Sequence, residues 1–335
     1  MDWDILGHSW AVDLLQSHIR HGEVRHAYLF SGAPGIGRRT LALRFAQALN
    51  CANPPEPGMP CRACLTCRQI ENMQYADLLV IQAEQEGGML KVDQIRELQR
   101  NLALAPYQGR YKVALLLRFE EAHPSAMNAL LKTLEEPASQ VIILLTADNP
   151  ENLLPTIVSR CEVLRLRPLS IEQISNGLQQ ASALPVERAE LLAHISGGRP
   201  GLALKFVQQP ERFEERSVWL SELERMIPAS LLDRFNEAES LAKDKENLRN
   251  ILLAWLSFWR DVTLKSAGAN APITNQDRST EINALGKRLD MYESSRVTGS
   301  LERAVDLLER NINPRLVMEN LMLDLPRLPI GKSAP

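Results

Sequence analysis

The sequence predicts an α/β domain with a mostly parallel sheet, followed by all-helical segments. Three observations predict it: a glycine-rich loop between a strand and a helix near the N-terminus, apolar runs alternating with amphipathic stretches up to Arg167, and loss of the strand signal from Pro168 onward. A chain of 335 residues accommodates two or three domains, each with its own core. The composition is ordinary for a globular protein. A net charge of -3 without any block of like charge gives no electrostatic footprint for autonomous nucleic-acid binding. No apolar run approaches the roughly 20 residues of a membrane span. Met1-Asp2-Trp3-Asp4-Ile5-Leu6 lacks the basic start and apolar core of a signal peptide, so a cytoplasmic protein is expected.

The first strand is Ala27-Tyr28-Leu29-Phe30, and Leu41, Phe45 and Leu49 mark the helix that follows. Between them, Ser31 to Thr40 carries the glycine scaffold of a phosphate-binding P-loop: Gly32 and Gly37 keep the six-position spacing and Gly35 adds freedom. In a working loop, backbone N–H groups cradle the phosphates, a lysine reaches the outer two, and a Ser or Thr hydroxyl binds magnesium. Here Arg38 and Arg39 stand at those two positions. Arg38 keeps the charge, but its planar fork is a poor substitute for a compact ammonium. Thr40 comes one residue late, about 100° around the helix from the site. The loop therefore predicts a phosphate-binding backbone without catalysis.

Four of the five cysteines, Cys51, Cys61, Cys64 and Cys67, have the spacing C-x9-C-x2-C-x2-C. Such a quartet can wrap one tetrahedral zinc, whereas the tight C-x2-C-x2-C run strains most disulfide pairings. Reduced thiols or one disulfide are the alternatives, and a cytosolic chain favours the metal. With four thiolates no coordination position is open, so the zinc would be structural. It would hold the proline-rich insertion Asn53 to Pro60.

Further strands are expected at Leu78–Ile81, Val113–Leu117, Val141–Leu145 and Val163–Leu166. Val92, Ile95, Leu98 and Leu102 mark one helix, and Met127, Leu130, Leu131 and Leu134 another that Pro137 ends. An active P-loop ATPase has acids at the end of its second core strand. After Val113–Leu117 the next residue is Arg118, and Glu120 and Glu121 are expected too far along the following turn to serve. Arg160, within Ser159-Arg160-Cys161, falls on a turn between the helical stretch 153–158 and the last strand, and by itself reads as a surface arginine.

Beyond Pro168, Ser170 caps a helix through Ile171, Ile174 and Leu178. A second, with Leu191, Leu192 and Ile195, stops at Gly197-Gly198, and a third begins after Pro200-Gly201 and closes near Pro210. In the remainder, Leu248 to Leu264 is the most apolar helix, and its tryptophans read as core or subunit contact. Ala267 to Ser279 reads as a loop, Lys243-Asp244-Lys245-Glu246 as a solvated helix face, and the residues after Leu325 as a disordered tail.

Taken together, His26-Ala27-Tyr28-Leu29-Phe30-Ser31-Gly32, the four cysteines, the run Asn128 to Pro137, Ser159-Arg160-Cys161 and Asn311 to Leu316 resemble bacterial replicative clamp loaders along the whole chain. The resemblance implies an AAA+ P-loop domain with a zinc insertion over residues 1–167, a helical lid over 168–210, an oligomerising collar over 211–326 and a tail over 327–335. It implies a component of the DNA polymerase III holoenzyme that works with gamma/tau and delta subunits. Through that complex it would meet the sliding clamp and primer-template DNA. Within the family the altered loop is similar to the non-hydrolysing delta-prime type, which lacks intrinsic ATPase activity; an ATP-hydrolysing gamma/tau-like motor with an unusual loop is the alternative. By the same resemblance, Arg160 projects as an arginine finger into the neighbouring subunit's ATP site. Ile5-Leu6-Gly7-His8 would line an adenine pocket, and a nucleotide-sensing arginine would fall at or beside Arg199-Pro200. Arg38 and Arg39 add bulk where phosphate and magnesium would sit, so nucleotide binding is disfavoured.

Overall fold

The structure is a computed structural model that describes residues 3–84, 88–244, 247–310 and 312–328. Helix α1 (Ser9–His21) precedes β1 (Ala27–Ser31), and α2 (Arg38–Asn50) and α3 (Leu65–Glu71) precede β2 (Leu78–Ile81). Then come α4 (Val92–Leu102), β3 (Lys112–Leu116), α5 (Pro124–Glu135), β4 (Val141–Ala147), α6 (Pro155–Val158) and β5 (Glu162–Arg165). The sheet is five-stranded in the order β2-β3-β4-β1-β5, and each of its pairings is parallel. All five β1 residues are buried. Period-two alternation sends Tyr28 and Phe30 to the face covered by α1 and α2, and Ala27 and Leu29 to the face packed on α4 and α5. This two-sided burial is why the strands read as continuous apolar runs.

Each expected strand is present within a residue or two, and α4 has the expected bounds. The helix expected over 153–158 is present but starts two residues later, at Pro155. Pro150 opens a 3-10 turn, Pro150–Asn152, and α6 starts afresh at Pro155, because each proline lacks the N–H that would continue a preceding helix.

The chain separates into two compact units, residues 1–177 with 198–202, and residues 178–197 with 203–335. Helices α7 (Ile171–Ser182), α8 (Val186–Ile195) and α9 (Pro200–Gln208), the expected lid, are divided between them. Ser170 does cap α7, its Oγ accepting the Gln173 N–H at 3.1 Å.

The second unit also holds α10 (Glu211–Met226), α11 (Leu231–Leu241), α12 (Leu248–Ser266), α13 (Ser279–Arg288), α14 (Met291–Glu309) and α15 (Pro314–Asp324). Trp255, Phe258 and Trp259 of α12 are fully buried, so these aromatics belong to the core. At about 150–250 Å² each, they are among the larger apolar contributions to that core. Arg234 of α11 is also buried, and its guanidinium donates to the carbonyls of Met226, Ile227, Met322, Leu325 and Pro326 at 2.7–3.1 Å. It thereby caps carbonyls at the C-terminal ends of α10 and α15, of which that of Met226 also accepts the Ala229 N–H at 3.2 Å.

Lys243 and Asp244, expected on a helix face, lie past the end of α11 in a turn; Lys245 and Glu246 lie outside the described residues. Asn311 and most of the expected tail, 329–335, also lie outside them. Among the described residues no helix is long and apolar enough to cross a membrane.

Candidate functional site

The loop begins where β1 ends. At Gly32 a Cβ would sit 2.6 Å from the Leu166 carbonyl oxygen, so this crossing has room only for glycine. The Gly32 N–H donates to the carbonyls of Ala147 and Asp148, each at 3.2 Å. Gly35 has φ 81° and lies against Leu202, and its carbonyl accepts the Gly201 N–H at 2.8 Å. The start of α9 is thus bonded to the loop directly. Gly37 precedes Arg38, the first residue of α2.

Arg38 is buried, whereas Arg39 and Thr40 are exposed. The Arg38 Nη1 lies 2.6 Å from Asp148 Oδ1 and 3.9 Å from Glu120 Oε1. The Asp148 N–H donates to Glu120 Oε1 at 3.2 Å, closing a cluster of one cation and two carboxylates. Burial pushes the Glu120 carboxyl up to about 7; the Asp148 charge adds to the shift and Arg38 opposes it.

This corrects the expectation that no acid reaches the site. Arg118 adopts a left-handed φ of 50°, and the 3-10 turn Phe119–Glu121 folds Glu120 back over the carboxyl end of β3 toward Arg38. Glu121 pairs instead with Arg118, at 3.2 Å. Asp148 escaped the sequence reading altogether. Its signal is positional: it directly follows β4, neighbour of β1, at the carboxyl end of the strands where open α/β sheets bind ligands.

His8 approaches the loop from the N-terminal side. Its buried ring nitrogen Nε2 lies 2.9 Å from the Ile36 carbonyl, which can only accept, so Nε2 carries the proton. Burial lowers the His8 pKa against that hydrogen bond, so the ring is neutral near pH 7. Leu169 crowds Gly7 of the same segment, a Cβ there falling 2.3 Å from Leu169 Cδ1. Pro200 opens α9 two residues before the Leu202 that covers Gly35.

Arg160 stands between α6 and β5, apart from the Arg38 cluster in sequence. Its Nη1 donates to the Thr156 carbonyl at 2.9 Å and its Nη2 to Glu135 Oε1 at 2.7 Å. The side chain is one-third exposed.

The four cysteines converge as expected. Cys51 follows α2, Cys64 caps α3 and Cys67 lies in its first turn. All four sulfurs lie within 4.8 Å of one another. Four sulfurs bound to zinc at about 2.3 Å stand about 3.8 Å apart, so the quartet fits the ion after slight contraction. Backbone N–H groups of Cys61, Cys64 and Cys67 donate to the sulfurs of Cys51, Cys61 and Cys64 at 3.3–3.4 Å, the solvation that thiolates require. Burial and the neighbouring thiols push the Cys67 pKa up. Four thiolates gathered here accordingly call for a cation among them. The insertion is anchored to the domain by the Trp3 indole N–H, which donates to the Gly58 carbonyl at 2.9 Å, and by an Arg62–Asp4 ion pair.

A parallel five-stranded sheet in the order β2-β3-β4-β1-β5, with a glycine-rich strand-loop-helix at β1, defines an α/β P-loop-type fold. Two sequence profiles match: that of the DNA polymerase III delta subunit over residues 7–170, and that of its C-terminal region over residues 210–326. The delta' subunit of Pseudomonas aeruginosa DNA polymerase III is 35% identical over 70% of this chain and 70% of its own length. The tau subunit of Salmonella typhimurium is 38% identical over 52% of this chain and 27% of its own length. The chain spans about a quarter of the length of several tau relatives it matches. A gamma-subunit-related protein from Thermotoga maritima is 18% identical, covering 92% of this chain and 97% of its own, with a TM-score of 0.40. The chain belongs to the family of DNA polymerase III clamp-loader subunits.

Proposed function

We propose that the chain is a non-hydrolysing, delta-prime-type subunit of the clamp loader. It would assemble with gamma/tau and delta subunits, help load the sliding clamp onto primed DNA, and contribute Arg160 to a neighbour's ATP site. The observation that carries this reading is the Arg38 cluster. The cation that would meet phosphate is paired with Asp148 and lies near Glu120, the groups that would otherwise serve magnesium and water. The exposed Thr40 hydroxyl offers magnesium nothing on that side. Arg160, by contrast, is at the surface, and a trans arginine in phosphoryl transfer is worth roughly 10³ to 10⁵ in rate. Cys51, Cys61, Cys64 and Cys67 would hold one structural zinc, which would supply no chemistry beyond cross-linking the insertion.

An ATP-hydrolysing gamma/tau-type subunit is the second reading, favoured by the 38% identity to a tau subunit and by the two acids at the strand ends. ATP titration of the isolated chain separates the two. No magnesium-dependent binding in the micromolar range is expected, and binding with turnover would overturn the first reading. In the reconstituted complex, Arg160→Ala is expected to leave assembly intact and lower DNA-stimulated ATPase activity at least a hundredfold per affected site. Unchanged activity would remove the finger assignment.

A further inference from the structure

We propose that Glu135 is the positioning residue of the Arg160 finger, a role that rests on the trans-acting reading of Arg160. Arginine is flexible, and a free guanidinium at a surface spreads over many rotamers. Here its two Nη atoms are held from different elements: Nη2 by Glu135 Oε1 at 2.7 Å, at the end of α5, and Nη1 by the Thr156 carbonyl at 2.9 Å, in α6. The Ser159 hydroxyl donates to the same Thr156 carbonyl at 3.1 Å, so the turn that carries the finger is tied to the same oxygen. Two contacts on different nitrogens fix the plane of the fork. They use two of its five N–H donors and leave three for an incoming phosphate.

The carboxylate comes from the run Asn128 to Pro137, which the P-loop and the cysteine site leave without a task. Pro137 stops α5 just after Glu135 and so fixes where this carboxylate stands relative to α6. Glu135 is half exposed, so it approaches no substrate as a buried group would; its effect passes through Arg160. The alternative arrangement is a decoy, in which the carboxylate competes with phosphate for the guanidinium and slows the reaction. The free donors favour positioning, because the phosphate can be met without breaking the Glu135 contact.

The test is a mutant cycle in the reconstituted clamp loader, with Glu135→Ala, Glu135→Gln, Arg160→Ala and Glu135→Ala/Arg160→Ala, each checked for assembly by co-elution. Glu135→Ala is expected to lower kcat for DNA-stimulated ATP hydrolysis about two- to fivefold, the scale of an exposed charge pair, with KM for ATP unchanged. Glu135→Gln keeps the acceptor and the shape and should fall between the two. The double variant should match Arg160→Ala. An unchanged or raised kcat in Glu135→Ala, alongside a strong loss in Arg160→Ala, overturns the positioning role and leaves the finger standing. A double variant slower than Arg160→Ala also overturns it. If Arg160→Ala itself has no effect, the finger reading falls instead. Should Glu135→Ala fail to assemble, Glu135→Gln decides: a kcat equal to wild type overturns the proposal.

Discussion

Arg38 sets the chemistry of the loop through its two carboxylate neighbours. Removing it leaves Asp148 and Glu120 facing each other without a cation. Arg38→Ala is therefore expected to destabilise the first unit by about 1–3 kcal/mol at pH 8, less than a fully buried pair because Asp148 is partly exposed. The loss should shrink at pH 5, where Glu120 holds its proton; urea midpoints at both pH values check this. For Glu120 alone the sign follows from its pKa of about 7 against an ordinary 4.5. The folded chain keeps the proton while the unfolded chain releases it, so the Glu120 contribution is full below pH 4.5 and is lost as pH rises toward 7. Glu120→Gln should flatten that decline and raise stability at pH 8 by on the order of 1 kcal/mol, given 1.36 kcal/mol per unit and discounting partial exposure.

At the scale of elements, the cysteine insertion is the segment with least core of its own. Its anchors are Trp3 to Gly58, Arg62 to Asp4, and the quartet itself. Chelation of zinc from the purified chain is expected to raise hydrogen exchange across residues 51–67 and to expose Trp3, seen as a change in tryptophan fluorescence, while β1 and β4 stay protected. A preparation with well under one zinc per chain and full protection of this segment would contradict it. The same elements show what the sequence made legible. The strands were plain because both faces are buried, and the quartet was plain because its spacing is local. Glu120 and Asp148 were not, since their approach to Arg38 depends on the left-handed Arg118 and on the ends of β3 and β4 meeting the start of α2. Nor was the Glu135–Arg160 pair, whose partners lie 25 residues apart and meet only when α5 and α6 pack.

Across the whole molecule, two compact units carry separate cores, and the second depends on a buried cation with carbonyl partners. Replacing Arg234 by Met would strand carbonyls of Ile227, Met322 and Leu325 in an apolar interior. We expect a loss of about 3–5 kcal/mol from the second unit, measured by denaturant unfolding, with weaker co-elution with other clamp-loader subunits as a consequence. Little change in either would mean that water replaces the guanidinium. The second unit's helices were readable as helices from their periodicity. Arg234 was not readable as their junction, because five carbonyls on two segments far apart in sequence carry no sequence mark.

The Arg38–Asp148 pair has one further consequence. Asp148 is in effect a tethered anion already resident at the loop, with an effective concentration set by the fold rather than by the cell. A nucleotide phosphate would compete with this intramolecular ligand, and every 1.4 kcal/mol of its advantage raises the apparent dissociation constant tenfold. A ligand that cannot bind cannot shift a conformational equilibrium. On the proposed non-hydrolysing reading, such a subunit would keep the same shape at any ratio of ATP to ADP, a fixed reference against which its neighbours could move.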